Sequence, residues 1–516
     1  MAKQFSRIID SFYGGIQRDK KSRVPGGCLN IEEIDIFSNK DYIQAEQIMS
    51  ADAMPTDTVV TAYTADNADT VFGYGKETAE NKVRLVKVTT GGASNPGAFA
   101  TAFTSADATD VFYLPSPIEY FRQDNGNKNF LYYLTNASGT VKLKSYDITA
   151  ETESETDSVS QNMTLTGLSG SYDRCFMRVG FGELFIGNGQ YIAKVDKDGV
   201  FTEKAFTLPN GWNVVDITFV SDIGIILARS ANRFANYSKG FWWDLTSSAQ
   251  VDDSFDIPFG GPQWIVNHKE NIRFLCAQNG YAKFYQLSGA FPGAEPKELP
   301  GLLLTNVASD GTTQPISSPN MVDTKDNILY FGLNKTDKTG VYAIGQLDSD
   351  KPIALILSKR FHTSDYSKHV PYAVFTQGSN FYGAFADNGT AANCRCETLN
   401  SPSRSSNAVY ESVILDEGDP TKQKVLEELF VLTEPLPAST SVTVSVAKNY
   451  GSYTVLTRPD GSNTNTTSGL VGYYRPGFAD SKLHQIKLTL ASNETISPKI
   501  TGIAYKISID DLGSAT

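Results

Sequence analysis

Seven times along the chain, a short apolar or aromatic run meets a turn of Asn, Asp or Gly and is followed by a second run that often holds Tyr or Val. The clearest copies cover residues 129–148, 182–199, 222–245, 270–287, 326–347 and 379–399, with a weaker one at 69–88. Asn, Asp and Gly tolerate positive φ, so each copy predicts a β-hairpin. A lone hairpin is marginal in water and has to stack on others. Spacings of 40–60 residues suit propeller blades, which fold four strands from about 40–50 residues. The expectation is an all-β chain in which residues 61–401 form a β-propeller of about seven blades. The copies share a pattern but no fixed motif, which leaves an irregular multi-sheet β protein as the alternative.

Composition agrees. At 516 residues the chain is too long for one compact core. A hydrophobic fraction of 40% with 20% charged residues places it among globular proteins. With 42 Gly and 22 Pro beside many Asn and Asp, it favours short strands and tight turns over long helices.

The two ends read differently from the middle. Residues 1–60 contain no clean hairpin. Arg18, Lys20, Lys21 and Arg23 form a basic patch between the pairs Gly14-Gly15 and Gly26-Gly27. Phe12, Tyr13, Ile16, Ile34, Ile36 and Phe37 are apolar anchors without a hairpin partner of their own. Each is worth about 1.5–3 kcal/mol when buried, so they have to pack on something. The expectation is an N-terminal arm whose basic and apolar residues meet a partner; the alternative is an ordinary strand packed on its own propeller. Beyond residue 401, alternation becomes strict at Val442, Val444 and Val446, at Ile486, Leu488 and Leu490, and at Ile503, Tyr505, Ile507 and Ile509. Period two means strands with one buried face, and residues 402–516 suit a β-sandwich or jelly roll.

The search for chemistry finds no assembled site. The four histidines, His268, His362, His369 and His484, lie outside any HExxH, and no GxSxG is present. His484, in an alternating strand, is expected at the surface. Cys394-Arg-Cys396 has no second pair to complete four ligands. The five cysteines are odd in number and scattered, which suits a reducing compartment. Asp196-Lys-Asp198-Gly199 resembles a calcium-loop fragment, but Lys194 stands where a ligand would precede it; a turn is the better reading. Gly187-Asn-Gly189 lacks the third glycine of a phosphate loop. Asp216, inside the run WNVVDITFV, is the most unusual acid: either a functional carboxyl with a raised pKa or a structural cap. Phe241-Trp242-Trp243 could stack on sugars or form a blade core. No cofactor signature is present. Residues 1–10 carry no apolar run of signal-peptide type, and the best apolar stretch, 214–228, is broken by Asp216, Ser221 and Asp222, so no membrane span is expected.

Two sets of short motifs point to a family. Phe12-Tyr13-Gly14-Gly15-Ile16, Pro25-Gly26-Gly27, Asn30 and Asp35-Ile36-Phe37 resemble the opening of structural proteins of tailed bacteriophages. Tyr410-Glu411, Gly418-Asp419-Pro420, Lys424-Val425-Leu426, Pro435-Leu436-Pro437 and Ser497-Pro498-Lys499-Ile500 resemble their terminal module. The middle is similar in type to the β-propeller nozzle or tubular tail proteins of short-tailed phages. The resemblance implies a non-enzymatic virion protein: copies in a ring, contacts with portal, adaptor or tail-fibre proteins, and DNA passing without specific binding. A net charge of −12 is compatible with a wall that does not hold phosphate. Two other classes stay open, a propeller glycoside hydrolase or capsule depolymerase and a carbohydrate-binding adhesin. An enzyme would gather two or three carboxylates at the propeller axis.

Overall fold

The computed structural model describes residues 3–17, 27–51, 54–55, 57–77, 82–89, 99–105, 110–112, 117–124, 128–154, 162–169, 174–231, 237–249, 253–289, 292–299, 302–308, 316–348, 350–359, 369–378, 380–387, 394–398, 403–466, 471–476, 478–493 and 495–509. Among them are strands, turns and one short 3-10 turn, but no α-helix. The chain forms two compact units, Met49–Val341 with Phe361–Asn400, and Met1–Ile48 with Tyr342–Arg360 and Ser401–Thr516.

The larger unit is a β-propeller. Six of the seven sequence copies lie on the second and third strands of one blade of this unit; the copy at 129–148, for instance, is the hairpin Lys128–Ala137 with Thr140–Asp147, whereas the copy at 326–347 runs past the end of this unit at Val341. These middle strands lie between neighbouring blades and are buried on both faces. Ile223–Ser230 accordingly carries five consecutive buried residues, the continuous apolar run expected of a doubly covered strand. Turns such as Ser138-Gly139 (φ 52° and 90°) and Asn279-Gly280 (φ 52° and 81°) have two successive left-handed residues, the geometry that matches strand twist in tight hairpins.

The innermost strands close a ring. Thr58–Ala65 lies beside Ile118–Gln123, which neighbours Met177–Gly180, then Trp212–Val220, then Pro262–His268. The 3-10 turn Pro319–Met321 touches Pro262–His268, and Val322–Lys325, which follows it, touches His369–Gln377. That last strand returns to Thr58–Ala65. The final blade is completed from the other end of the unit: Ser50–Ala51 pairs with Cys394–Thr398. The cores lie between blades. Phe241 and Trp243 pack with Phe185, Phe206 and Ile217, whereas Trp242 packs with Phe274 and Tyr285 of the following blade. The aromatic triplet is therefore inter-blade core.

The smaller unit has two principal sheets. One orders Lys3–Ile9, Ile500–Ile509, Lys424–Thr433 and Val471–Tyr474. The other runs Ala354–Lys359, Gly27–Glu32, Ala408–Ser412, His484–Ala491, Ser441–Lys448 and Thr454–Val455. Alternating burial along Lys424–Thr433 and His484–Ala491 gives each sheet one buried face, the pattern of a β-sandwich.

This corrects the expectation of a projecting arm. Lys3–Ile9 pairs along its whole length with Ile500–Ile509, from Lys3↔Ile509 to Ile9↔Ile503. Gly27–Glu32 sits between Ala354–Lys359 and Ala408–Ser412. The anchors found their partners inside this unit. Phe12 is buried edge-on against Tyr410 with ring centroids 5.2 Å apart, and Ile36 is fully buried. Ile16 pairs in parallel with Cys28, Tyr13 lies under the Lys351 ammonium, and Phe37 packs on Gly345. Phe12 and Ile36 are thus core residues of their own chain. Arg18, Lys20, Lys21 and Arg23 lie outside the described residues. His484 is also corrected: it opens the buried face of His484–Ala491 and is fully buried rather than at the surface.

Candidate functional site on the propeller axis

The innermost strands carry the acids of the candidate site, Glu119, Asp216 and Asp323. On six of these strands, acids, threonines and one arginine form a belt whose hydrogen bonds tie four of the seven junctions between neighbouring blades. Tyr120 N–H donates to Thr64 Oγ1 at 3.2 Å, and Asn267 N–H to Thr218 Oγ1 at 3.1 Å. Ile265 N–H donates to Asp216 Oδ2 at 3.1 Å, and Thr376 N–H to Asp323 Oδ2 at 2.6 Å. In every case a short side chain on one inner strand meets a backbone donor on the neighbouring one.

Arg178 stands at the centre of this belt. Its Nη2 donates to Asp216 Oδ2 at 3.2 Å and to the Pro319 carbonyl at 2.9 Å. Asp216 is completely buried, while Arg178 keeps 28% of its side-chain surface exposed. Asp216 also accepts Ile217 N–H at 3.0 Å. Burial raises the Asp216 carboxyl above the usual range, opposed first by Arg178 and then by these amides. It therefore fills the structural role, although it bridges blades where a strand-end or turn cap was expected.

Two half-buried acids complete the cluster, Glu119 on Ile118–Gln123 and Asp323 on Val322–Lys325. Burial pushes Glu119 up to about 7, with Arg178 the largest opposing influence; Thr64 Oγ1 lies 3.5 Å from its carboxylate. Asp323 is raised by burial and held by Thr376, whose hydroxyl donates at 2.9 Å. Three carboxylates thus share the field of one guanidinium. A carboxyl that titrates near neutrality can donate a proton, and an ionised neighbour can serve as base or nucleophile. No group of three ligands close enough to hold a metal occurs among the described residues.

Of the residues singled out from sequence, only Asp216 belongs to this cluster. Glu119, Arg178 and Asp323 were missed because their strands are short or polar and sit outside the repeated hairpins. Elsewhere, Asp196 Oδ1 accepts the amides of Asp198 and Val200, so that motif is a turn. Cys28, Cys175 and Cys276 are buried and not in disulfides. The His268 ring lies 2.8 Å from Arg273 Nη1 and is lowered to about 4, chiefly by burial. The side chains of Cys394, Cys396 and His369, and all of His362, lie outside the described residues. Among the described residues no helix is long and apolar enough to cross a membrane.

No protein-family model and no curated protein matches the chain. Solved structures do. The Dos1 propeller matches at 11% identity and TM-score 0.38, over 77% of this chain and 94% of its own. An exo-β-1,3-galactanase from Phanerochaete chrysosporium matches at 11% and 0.31, over 90% and 100%. The polysaccharide lyase Uly1 matches at 12% and 0.35, over 67% and 99%. The expectation of a non-enzymatic chain is corrected at this point. Its own inner strands gather the carboxylates whose presence was to mark an enzyme.

Proposed function

We propose that the protein binds and cleaves a glycan at the axis of its propeller, with Glu119 as proton donor and Asp323 as the ionised partner. One observation carries this reading: burial pushes the half-buried Glu119 on one inner strand up to about 7, while Asp323 on another inner strand of the same ring lies in the field of the same arginine. Glycosidic cleavage needs this division of labour, one protonated acid and one carboxylate. Burial raises the Asp323 carboxyl, and the Thr324 and Thr376 amides, the Thr376 hydroxyl and lastly Arg178 oppose that rise; Arg178, fixed by Asp216 and Pro319, is a positioning residue. The test is reducing-end release from a panel of neutral and acidic polysaccharides by the intact chain. Glu119→Gln is expected to lower the rate by about 10²–10⁴, the usual share of general acid catalysis. The alkaline limb of the wild-type pH profile, set by loss of the Glu119 proton, should fall above about 7. A panel left uncut, or full activity in Glu119→Gln, refutes the assignment.

A second reading, a ring-forming phage tail or neck subunit lining or closing the DNA ejection channel, draws support from the chain ends. One motif from each end meets the other, Asn30 pairing with Glu411 and Phe12 packing on Tyr410. In this reading the neighbours are copies of the chain, together with portal, adaptor or tail-fibre proteins. Electron micrographs of the purified protein test it: rings of fixed symmetry are expected, and monodisperse single copies at all concentrations refute it.

A further inference from the structure

The smaller unit contains a cleft of about 290 Å³ unrelated to the propeller axis. We propose that this cleft binds the carboxylate of an acidic saccharide, with Arg404 as the recognition residue. The volume lies at the low end of small-molecule sites, about 300–1,000 Å³, and suits a single sugar residue. The proposal stands apart from the axial reading, since it concerns binding alone.

The argument begins with Arg404. Its Nη1 donates to the Ala45 carbonyl at 2.6 Å and its Nε to the Thr495 carbonyl at 3.3 Å. Arg404 also bridges to Gln47 through the backbone. A guanidinium has five N–H donors in a rigid fork. Two backbone carbonyls therefore fix its plane and leave donors for the cleft it lines. A fork held in advance loses little freedom on binding, which is the basis of bidentate carboxylate recognition.

The surroundings set the sign. Lys499 and Glu434 also line the cleft and pair with each other at 2.9 Å. Lys499 further lies over the Tyr42 ring at 4.4 Å, and the Glu434 hydrogen bond raises its pKa, so its charge persists. Glu434 is thus neutralised locally, and Arg404 leaves the lining net positive in a chain of net charge −12. Gln44 and the exposed Thr495 add groups able to meet sugar hydroxyls, while Pro435 and the half-exposed Ile496 offer apolar surface to a ring face. Charge for a carboxylate, hydroxyl partners and an apolar flank together describe a uronate better than a simple anion.

Calorimetric titration of the full chain with glucuronate, glucose and acetate tests this. Glucuronate is expected to bind about tenfold or more tighter than either glucose or acetate, with affinity falling as salt rises. Arg404→Lys keeps the charge but loses the fork, and should weaken glucuronate about tenfold. Thr495→Val, on an exposed position, should weaken it less and leave the melting temperature unchanged. Glucose binding as tightly as glucuronate overturns the role of the charge. Acetate doing so overturns the saccharide. No glucuronate binding by the wild type, or unchanged binding in both variants, overturns the site.

Discussion

Removing the Asp216 carboxylate should loosen the propeller by an amount that depends on what replaces it. Asp216 accepts from three donors, the Ile265 and Ile217 amides and the Arg178 guanidinium. A buried donor left unmet costs about 1–3 kcal/mol. Asp216→Ala strands both amides, while the part-exposed Arg178 can turn to water. The expected loss is about 4 kcal/mol. Asp216→Asn behaves differently. Rotated so that its oxygen takes the place of Oδ2, the amide still serves Ile265 and Arg178. Only Ile217 then faces an NH₂ group, and the loss is about 1–3 kcal/mol. The asparagine also carries no buried charge, which offsets part of that loss because burial already disfavours the ionised form. Urea unfolding read by tryptophan fluorescence is the assay. All four tryptophans, Trp212, Trp242, Trp243 and Trp264, lie on the fourth and fifth blades that Asp216 joins. Two outcomes refute the reasoning: a loss below about 1 kcal/mol in Asp216→Ala, or equal losses in the two variants within about 0.5 kcal/mol, the scatter of neutral substitutions.

Two further outcomes concern the smaller unit. His484 is fully buried, neither ring nitrogen finds a partner among the described residues, and burial followed by Lys424 and Lys448 lowers it to about 4. The unfolded histidine binds its proton near pH 6.5 and the folded one only near 4, so stability is lost as pH falls between those values. The limiting loss is about 3 kcal/mol at about 1.4 kcal/mol per unit; melting curves from pH 4 to 7.5 should show it, and His484→Gln should flatten the slope, an unchanged slope being the contrary result. Deleting residues 1–41 removes both Lys3–Ile9 and Gly27–Glu32, so limited proteolysis should degrade residues 401–516; a truncated chain that keeps this region protease-resistant would restore the arm.

The fold was legible where burial is strongest. Strands covered on both faces must be apolar throughout, and the turns between them must tolerate positive φ. Runs such as those in Ile223–Ser230 and Asn271–Gln278, each followed by its turn and second run, therefore stood out as repeats. The N-terminal segment was misread for a related reason. Hairpin patterns reveal only local pairing, whereas Lys3–Ile9 pairs across some five hundred residues with Ile500–Ile509. Its partner strand showed clear alternation, but nothing in either sequence names the other. His484 was misjudged because alternation tells which residues share a face, without telling which face is buried.

The axial cluster was harder to see, and the reason lies in where propeller sites are built. An inner strand has one side toward the axis, so it tolerates Thr64, Glu119, Arg178 and Asp323, and such a strand loses the apolar signature that announces it. Asp216 alone was noticed, because it sits in an apolar strand; there it is fully buried and used for holding blades together. The residues free to take part in chemistry are the half-buried ones in unremarkable sequence. Glu119 and Arg178 are 59 positions apart, and Asp323 lies 145 beyond Arg178. Only closure of the ring brings them under one field. A conspicuous acid in a propeller sequence is therefore better evidence of a structural tie than of a catalytic group, and the productive search runs along the short polar strands that precede each hairpin.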